Sequence, residues 1–206
     1  MKGKKSVRIF LCPLNFRVLV PVVLCGFVLA VSCTRPPEEI RIGVIITTVM
    51  PLMESSASNS IEIVRDSLEK EGGLEVSGRK HPVNFVVERI TGGVPEEAVR
   101  VVNKLINQED VVAIIGPDFS IDAIPSGEVA ERSGIPLLSP LSSHPRTTAA
   151  REYVFRAAFL DSFQAKGMAR FSVQDLKAEK IAVLYNIANP YSRGIAEIFI
   201  ETVKGK

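Results

Sequence analysis

The sequence predicts an α/β fold, in which a doubly wound parallel sheet is sandwiched between helices. Three observations support this prediction. Short β-branched runs, typical of strands buried on both faces, recur along the chain. Segments with helical periodicity follow most of these runs, and clusters of Pro, Gly and Ser separate the two kinds of segment. Such alternation implies right-handed crossovers between parallel strands.

The first two strand and helix pairs are predicted between residues 40 and 106. The run IRIGVII at 40–46 predicts a strand, and a helix over 58–71 follows it and ends at Gly72-Gly73, a pair typical of a helix C-cap. A second strand is predicted at 83–87. The next helix opens with Pro and two acidic residues, and its apolar residues recur at i, i+3, i+4, i+7 and i+8: Ala98, Val101, Val102, Leu105 and Ile106.

The remaining elements continue the alternation to the end of the chain. In order, they are a strand at 111–115, a helix over 121–133, a very short strand at 135–138, an irregular Ser, Thr and Pro-rich segment at 139–148, an extended piece at 153–156, a helix over 162–176, a strand at 180–185 and a helix over 191–203. Ligands of open parallel sheets bind outside the carboxyl ends of the strands. We therefore expect the functional residues in the loops that follow the strands.

The first 32 residues differ from the rest because they hold five basic residues and no acidic one. The basic residues come before an uncharged apolar run over 18–31, which is the order found in bacterial secretion signals. The alternative is a permanent membrane helix. That run contains Pro21 and Gly26 and is shorter than the roughly 20 residues that a membrane-spanning helix needs. We therefore expect a signal peptide over 1–32 and an exported protein.

Cys33 directly follows this signal, in the segment LAVSC at 29–33. The segment resembles the lipobox of bacterial lipoproteins, whose Cys is diacylated and becomes the first residue after cleavage, although Leu usually stands three positions before the Cys and here stands four before it. Cys12 and Cys25 lie inside the signal, so no intrachain disulfide is expected after cleavage. We expect a lipoprotein of the cell envelope, anchored to the membrane at Cys33, with a tether over 33–39.

Composition and motifs argue against several other classes of protein. Beyond the signal, 20 basic residues face 23 acidic ones without a basic cluster, so nucleic acid is not an expected partner. His81 and His144 are far apart in the sequence, and neither lies in a nucleophile or metal motif. P-loop, G-x-S-x-G and strand-linked G-x-G-x-x-G patterns are missing. We expect no enzymatic activity, no cofactor and no metal.

Ser120 is predicted to stand at the start of the helix that follows the third strand. Free backbone N–H groups and the positive end of the helix dipole favour an anion there, for example a carboxylate. A serine at a helix start is also a common N-cap, and the position alone leaves both interpretations open.

From residue 40 onward the chain resembles the type I periplasmic binding proteins of the leucine/isoleucine/valine-binding class. The resemblance depends on the order and spacing of several motifs: IRIGVI at 40–45, AVRVVNKLI at 98–106, VVAIIGP at 111–117, SGIPLLSP at 133–140, FRAAFLDSFQ at 155–164 and KIAVLYN with PYSRG at 180–194. It implies a first ligand-binding lobe over 40–158 and the start of an incomplete second lobe over 159–206. Because proteins of that class continue far beyond Lys206, we expect a truncated or fragmentary chain.

The resemblance also implies a function and a site. Such proteins close on an amino acid or related solute and pass it to an ABC permease in the inner membrane. The serine after the third strand binds the ligand carboxylate in this class, and that position is Ser120 here. The loop after the fourth strand contacts both charged ends of the ligand, through Ser142 and Ser143, and a tyrosine of the second lobe, Tyr191, closes over it. The first loop, at 47–54, departs from the class because it lacks the usual Gly-rich segment and aromatic residue.

Two alternative functions stand beside solute binding for transport. The same fold serves as a ligand-sensing domain in receptors and regulatory systems, without transport. An exported enzyme is the third hypothesis, and no motif in the sequence favours it.

Overall fold

The computed structural model describes residues 38–205. The predicted signal peptide and Cys33 lie outside this range. Seven strands are formed within it: β1 (Ile40–Thr47), β2 (Leu74–Val76), β3 (Arg79–His81), β4 (Val83–Ile90), β5 (Ala113–Ile115), β6 (Leu137–Ser139) and β7 (Val154–Arg156). Five of them form one parallel sheet in the order β4-β1-β5-β6-β7, and β2 and β3 form a separate antiparallel hairpin.

A helix follows each of β1, β4 and β5, and two more helices follow β7. They are α1 (Pro51–Lys70), α2 (Pro95–Asn107), α3 (Ser120–Ser133), α4 (Asp161–Arg170) and α5 (Pro190–Lys204), with a short 3₁₀ turn at Pro145–Thr147 and a π-helical turn at Phe171–Asp175. This arrangement confirms the predicted doubly wound α/β fold. None of the helices between residues 38 and 205 is long and apolar enough to cross a membrane.

The main core lies between one face of the sheet and helices α2 and α3. Gly43 interrupts the apolar run of β1 where the Leu105 side chain packs on the strand backbone, so that a Cβ at Gly43 would lie only 3.0 Å from the nearest Leu105 methyl. The apolar face predicted for α2 is the buried one. The core consists of Ile45, Ile90, Ala98, Val101, Val102, Leu105, Val111, Ile114, Val129, Ala130, Leu137 and Val154.

Helix α1 lies against the opposite face of the sheet and packs more loosely. Alternate residues of a strand point to opposite faces, and β1 presents Val44 and Ile46 to α1. A cavity of about 400 Å³ separates these side chains from Ile61 and Val64 of the helix. No residue of α1 is fully buried. The predicted apolar face of α1 is therefore directed at the sheet, but its side chains do not pack tightly against the strands.

The strand order reverses next to β1. The chain leaves β1 for β4 on one side and then crosses to β5 on the other side. In open parallel sheets, the crevice at such a reversal, at the carboxyl ends of the strands, is the usual ligand site. The loops after β1 and β5 are therefore the ones that border this crevice.

The structure differs from the sequence-based prediction at several element boundaries. Helix α1 begins at Pro51, not at residue 58, because Pro is well suited to the first helical turn. The mostly polar segment 54–60 continues the helix, and its Ser56, Ala57 and Ser60 line the cavity that faces the sheet. The hairpin of β2 and β3 was not predicted. The helix predicted over 162–176 is regular only to Arg170 and ends in the π-helical turn.

The predicted strand at 180–185 was wrong. This segment forms no ladder with any described strand, and its apolar residues are exposed, with Leu184 fully accessible to solvent. A β-branched run becomes a strand only when a neighbouring strand pairs with its backbone N–H and C=O groups. Within residues 38–205, such a neighbour is absent beside it.

Gly116 and Gly93 offer a matched test of the backbone at the crevice. Both have positive φ angles, +98° and +79°. A Cβ at Gly116 would lie 2.5 Å from the Ile45 carbonyl oxygen, whereas nothing lies within 4 Å of one at Gly93. We expect Gly93→Ala to lower the free energy of unfolding by about 1–2 kcal/mol, the usual penalty of a left-handed conformation. Gly116→Ala should lower it clearly further, because the clash is added. Urea unfolding of both variants measures the difference, and equal losses would contradict the close approach.

Candidate functional site

A pocket of about 570 Å³ opens at the carboxyl ends of β5 and β6. One wall comes from the loops after these strands and from the start of α3. The other comes from the segment after β7, from α4 and from the start of α5. The lining residues are Asp118, Phe119, Ser120, Leu141, Ser143, Ala158, Phe159, Gln164, Asn189 and Tyr191.

The structure brings the predicted site residues to this one place. Ser120, Ser143 and Tyr191 line the pocket. Ser142 is 1% exposed and lies behind Ser120, and it is not among the lining residues. Ser120 is the first residue of α3, and the N-cap is Phe119, which makes no side-chain cap hydrogen bond. Ser120 therefore does not act as the N-cap. The part of these residues in ligand binding stays a prediction.

Buried hydroxyl groups join the loops after β5 and β6. The Ser142 hydroxyl donates to Ser120 Oγ at 2.9 Å and lies 2.6 Å from Thr147 Oγ1. The Ser139 hydroxyl donates to the Pro117 carbonyl at 2.6 Å and accepts from the Ser142 N–H at 3.4 Å. These bonds hold the wall of the pocket in place, because a buried polar group without a partner is costly.

Arg156, the last residue of β7, fixes the loop that carries Ser143. Its guanidinium donates to the carbonyls of Ser143 (3.1 Å), His144 (2.9 Å) and Pro145 (3.2 Å), and also to the Thr148 hydroxyl. Burial lowers the pKa of Arg156, and the nearby Asp161 carboxylate opposes that change. The planar array of guanidinium donors can serve several carbonyls of one loop at the same time.

Two contacts hold the second wall against this loop. The Asp161 N–H, at the start of α4, donates to the Ser143 carbonyl at 3.0 Å. On α5, a Cβ at Gly194 would lie 3.0 Å from Cδ2 of His144, so the imidazole packs directly on the helix backbone. Asn189 caps α5 by accepting from the Ser192 N–H at 3.1 Å, and this cap sets the position of Tyr191 in the first turn.

Among residues 38–205, Asp118 is the one charged residue that lines the pocket. Burial raises the pKa of the Asp118 carboxyl, and hydrogen bonds from Thr47 oppose the rise. Asp122, on the next turn, is fully buried, and its Oδ2 accepts from the Gly93 N–H at 2.8 Å, so it serves the fold of the neighbouring loop. Burial also raises the pKa of Asp122.

Among residues 38–205, no three His, Cys, Asp or Glu side chains are placed to hold a metal ion.

Comparison with known proteins identifies the family. Residues 39–205 match the sequence model of the family described as "Periplasmic binding protein". The chain belongs to this family. Several of its relatives are named as branched-chain amino acid binding proteins. It is 26% identical over 168 residues to "Leu/Ile/Val-binding protein homolog 3" of Brucella melitensis, a match over 78% of this chain and 43% of that protein. An "Amino acid binding protein" of Pseudomonas aeruginosa is 33% identical over 104 residues, 50% of this chain and 28% of the other.

Solved structures agree with the family assignment. The branched-chain amino acid transporter substrate-binding protein of Streptococcus pneumoniae, in complex with isoleucine, matches with a TM-score of 0.69 and 26% identity, over 81% of this periplasmic binding protein and 47% of that chain. A leucine-binding protein of Thermotoga maritima matches with a TM-score of 0.68 and 25% identity, over 81% and 46%. The chain spans less than half the length of these relatives. Their names describe binding proteins and not enzymes.

Several pocket residues were not singled out by sequence reasoning. Asp118 and Leu141 lie in the loops that were predicted to matter, but nothing in the sequence marks them as inward-facing. Gln164 and Asn189 belong to the second wall, where the wrong strand at 180–185 obscured the geometry. The cap pattern Asn189-Pro190 before a helical run was the available signal for that wall.

His144 should make stability depend on pH. Burial lowers the pKa of His144 below its usual 6.5, and Arg146, Arg156 and Arg193 add to this effect, whereas Asp161 opposes it. The unfolded chain then takes up the proton first, so stability is lost as the pH falls below 6.5 towards the folded-state pKa.

The His144→Asn substitution tests this expectation. Nδ1 of His144 accepts from the Arg146 N–H at 3.1 Å, and an Asn oxygen can accept the same bond without titrating. Urea unfolding at pH values on both sides of 6.5 should show a smaller loss of stability for the variant than for the wild type. An equal loss in both proteins would contradict the role of His144.

Proposed function

We propose that this periplasmic binding protein captures a zwitterionic amino acid, of the branched-chain type or similar, in the pocket between Ser120 and Tyr191. The observation that supports this most directly is the pairing of Ser120 and Ser143 on one wall with Tyr191 on the other. The solved structure of the Streptococcus pneumoniae relative is a complex with isoleucine.

The Ser120 side of the pocket suits the ligand carboxylate. Ser120 is the first residue of α3, where backbone N–H groups lack intrahelical partners and the helix dipole is positive. A hydroxyl and free amides together are the donors that a carboxylate requires. Ser143, 6% exposed, adds a second hydroxyl on the same wall.

The remainder of the pocket suits the ammonium group and an apolar side chain. Asp118 is the one charge on the lining and attracts a cation when it is ionised. Phe119, Leu141, Ala158 and Phe159 supply apolar surface. Tyr191, 40% exposed, stands at the edge of the pocket and is placed to cover a ligand. A small amphiphilic zwitterion matches this combination, because orienting polar groups on an apolar lining are typical of such sites.

The cellular setting of the proposal follows from the N-terminal sequence and the family. A signal peptide over 1–32, diacylation of Cys33 and a tether over 33–39 would export the protein and anchor it in the cell envelope. The portion over 40–158 would act as the first lobe and the portion from 159 onward as the beginning of the second. The partner that receives the solute would be an ABC permease of the inner membrane.

Ser120→Ala tests the carboxylate contact. Calorimetric titration of the chain with leucine, isoleucine and valine should show binding. The variant should bind the same ligand roughly 10- to 100-fold more weakly, because it loses a hydrogen bond to a charged group. Ser126→Ala is the matched control: Ser126 lies on the same helix and is fully buried, but does not line the pocket. Equal losses in both variants, or no binding of any of the three ligands, would contradict the proposal.

A further inference from the structure

The buried hydroxyls behind the pocket form a chain of three: Thr147, Ser142 and Ser120. Thr147 is 0% exposed, Ser142 1% and Ser120 4%. The Oγ atoms of Ser142 and Ser120 are 2.9 Å apart, and Ser142 Oγ is 2.6 Å from Thr147 Oγ1. Of the three, only Ser120 lines the pocket.

The direction of the protons in this chain follows from counting. Each hydroxyl has one proton to donate and can accept through its lone pairs. Ser142 donates its proton to Ser120. In the bond between Ser142 and Thr147, Thr147 must therefore be the donor, because Ser142 has no second proton. Ser120 Oγ accepts a hydrogen bond from Ser142, so the Ser120 hydroxyl proton is left to be donated to a group in the pocket.

We propose that Thr147 and Ser142 are positioning residues that set Ser120 as a hydrogen-bond donor towards the ligand. Each bond in such a chain polarises the next, so the last hydroxyl becomes a better donor. The chain therefore selects a ligand group that only accepts hydrogen bonds at this point, for example a carboxylate. This inference rests on the proposed function and extends it to two residues that do not touch the ligand.

The loop geometry supports a dedicated role for Thr147. It lies in the 3₁₀ turn Pro145–Thr147, and its N–H donates to the His144 carbonyl at 3.0 Å. Its own carbonyl accepts from Arg151 at 3.0 Å. Both backbone groups are bonded, which fixes the backbone that carries the side chain, and the Thr147 hydroxyl lies 2.6 Å from Ser142 Oγ.

The first measurement needs no ligand. Thr147→Val removes the hydroxyl and keeps the shape, and Ser142→Ala removes the acceptor. Urea unfolding of the wild type, the two single variants and the double variant gives their coupling. We expect the double variant to be more stable than additivity predicts, by roughly two- to tenfold in the unfolding equilibrium constant, the usual contribution of one hydrogen bond. Additive effects would overturn the relay whether or not the protein binds amino acids.

The second measurement uses L-leucine, isoleucine and valine in calorimetric titrations. Thr147→Val should weaken binding roughly two- to tenfold, and Thr147→Ser, which keeps the hydroxyl, should bind as the wild type does. In the Ser120→Ala background, Thr147→Val should have no further effect. An equal loss in both backgrounds would overturn the relay, because Thr147 would then act other than through Ser120. If the wild type binds none of the three ligands, the proposed function fails, whereas the unfolding cycle still decides whether the relay exists.

Discussion

The hydrogen bonds between the loops after β5 and β6 are the interaction on which the site depends. Both loops leave the sheet at its carboxyl edge and are largely buried there, so their polar groups need partners within the protein. Ser139 and Ser142 supply these partners by bonding to Pro117 and Ser120. The start of α3 is thereby held at a fixed distance from the loop that carries Ser143. A buried hydrogen-bond network of this kind specifies one arrangement of the two loops, because a shift of one loop relative to the other would leave several polar groups unpaired.

The same requirement explains which parts of the fold could be predicted from sequence. Helix α2 was predicted well because its apolar stripe faces the sheet, so burial and local periodicity agree. Strand β1 was predicted because a β-branched run with β4 and β5 beside it is buried on both sides. The segment at 180–185 has the same kind of sequence but no paired neighbour among the described residues. The sequence pattern indicates that a segment has a tendency to form a strand, whereas the strand itself forms only when a second strand pairs with it.

For the site, the sequence identified the right edge of the sheet but not every residue's position. The carboxyl ends of parallel strands lie at the same edge of the sheet, so the sequence predicts that hydroxyl residues after β5 and β6 lie near one another. Which of them faces the pocket depends on side-chain direction within an irregular loop, and no periodicity describes that. Ser142 and Ser143 are adjacent in sequence, yet only Ser143 is on the lining. Thr147 was not predicted at all, because its partner Ser142 is five residues away across a 3₁₀ turn.

The second wall of the pocket is attached to the first through few contacts. Helices α4 and α5 have their own small core of Ala165, Ala169 and Phe199. Besides a small contact between α3 and α5, they meet the first wall at the Asp161 to Ser143 bond and at the contact of His144 with Gly194. The bond to Ser143 and the contact with His144 reach the same loop, and the Arg156 guanidinium donates hydrogen bonds to three carbonyls of that loop. A ligand between Ser120 and Tyr191 would add contacts between the walls exactly where the protein itself supplies few. Its binding energy would then stabilise one relative position of the two walls over the others.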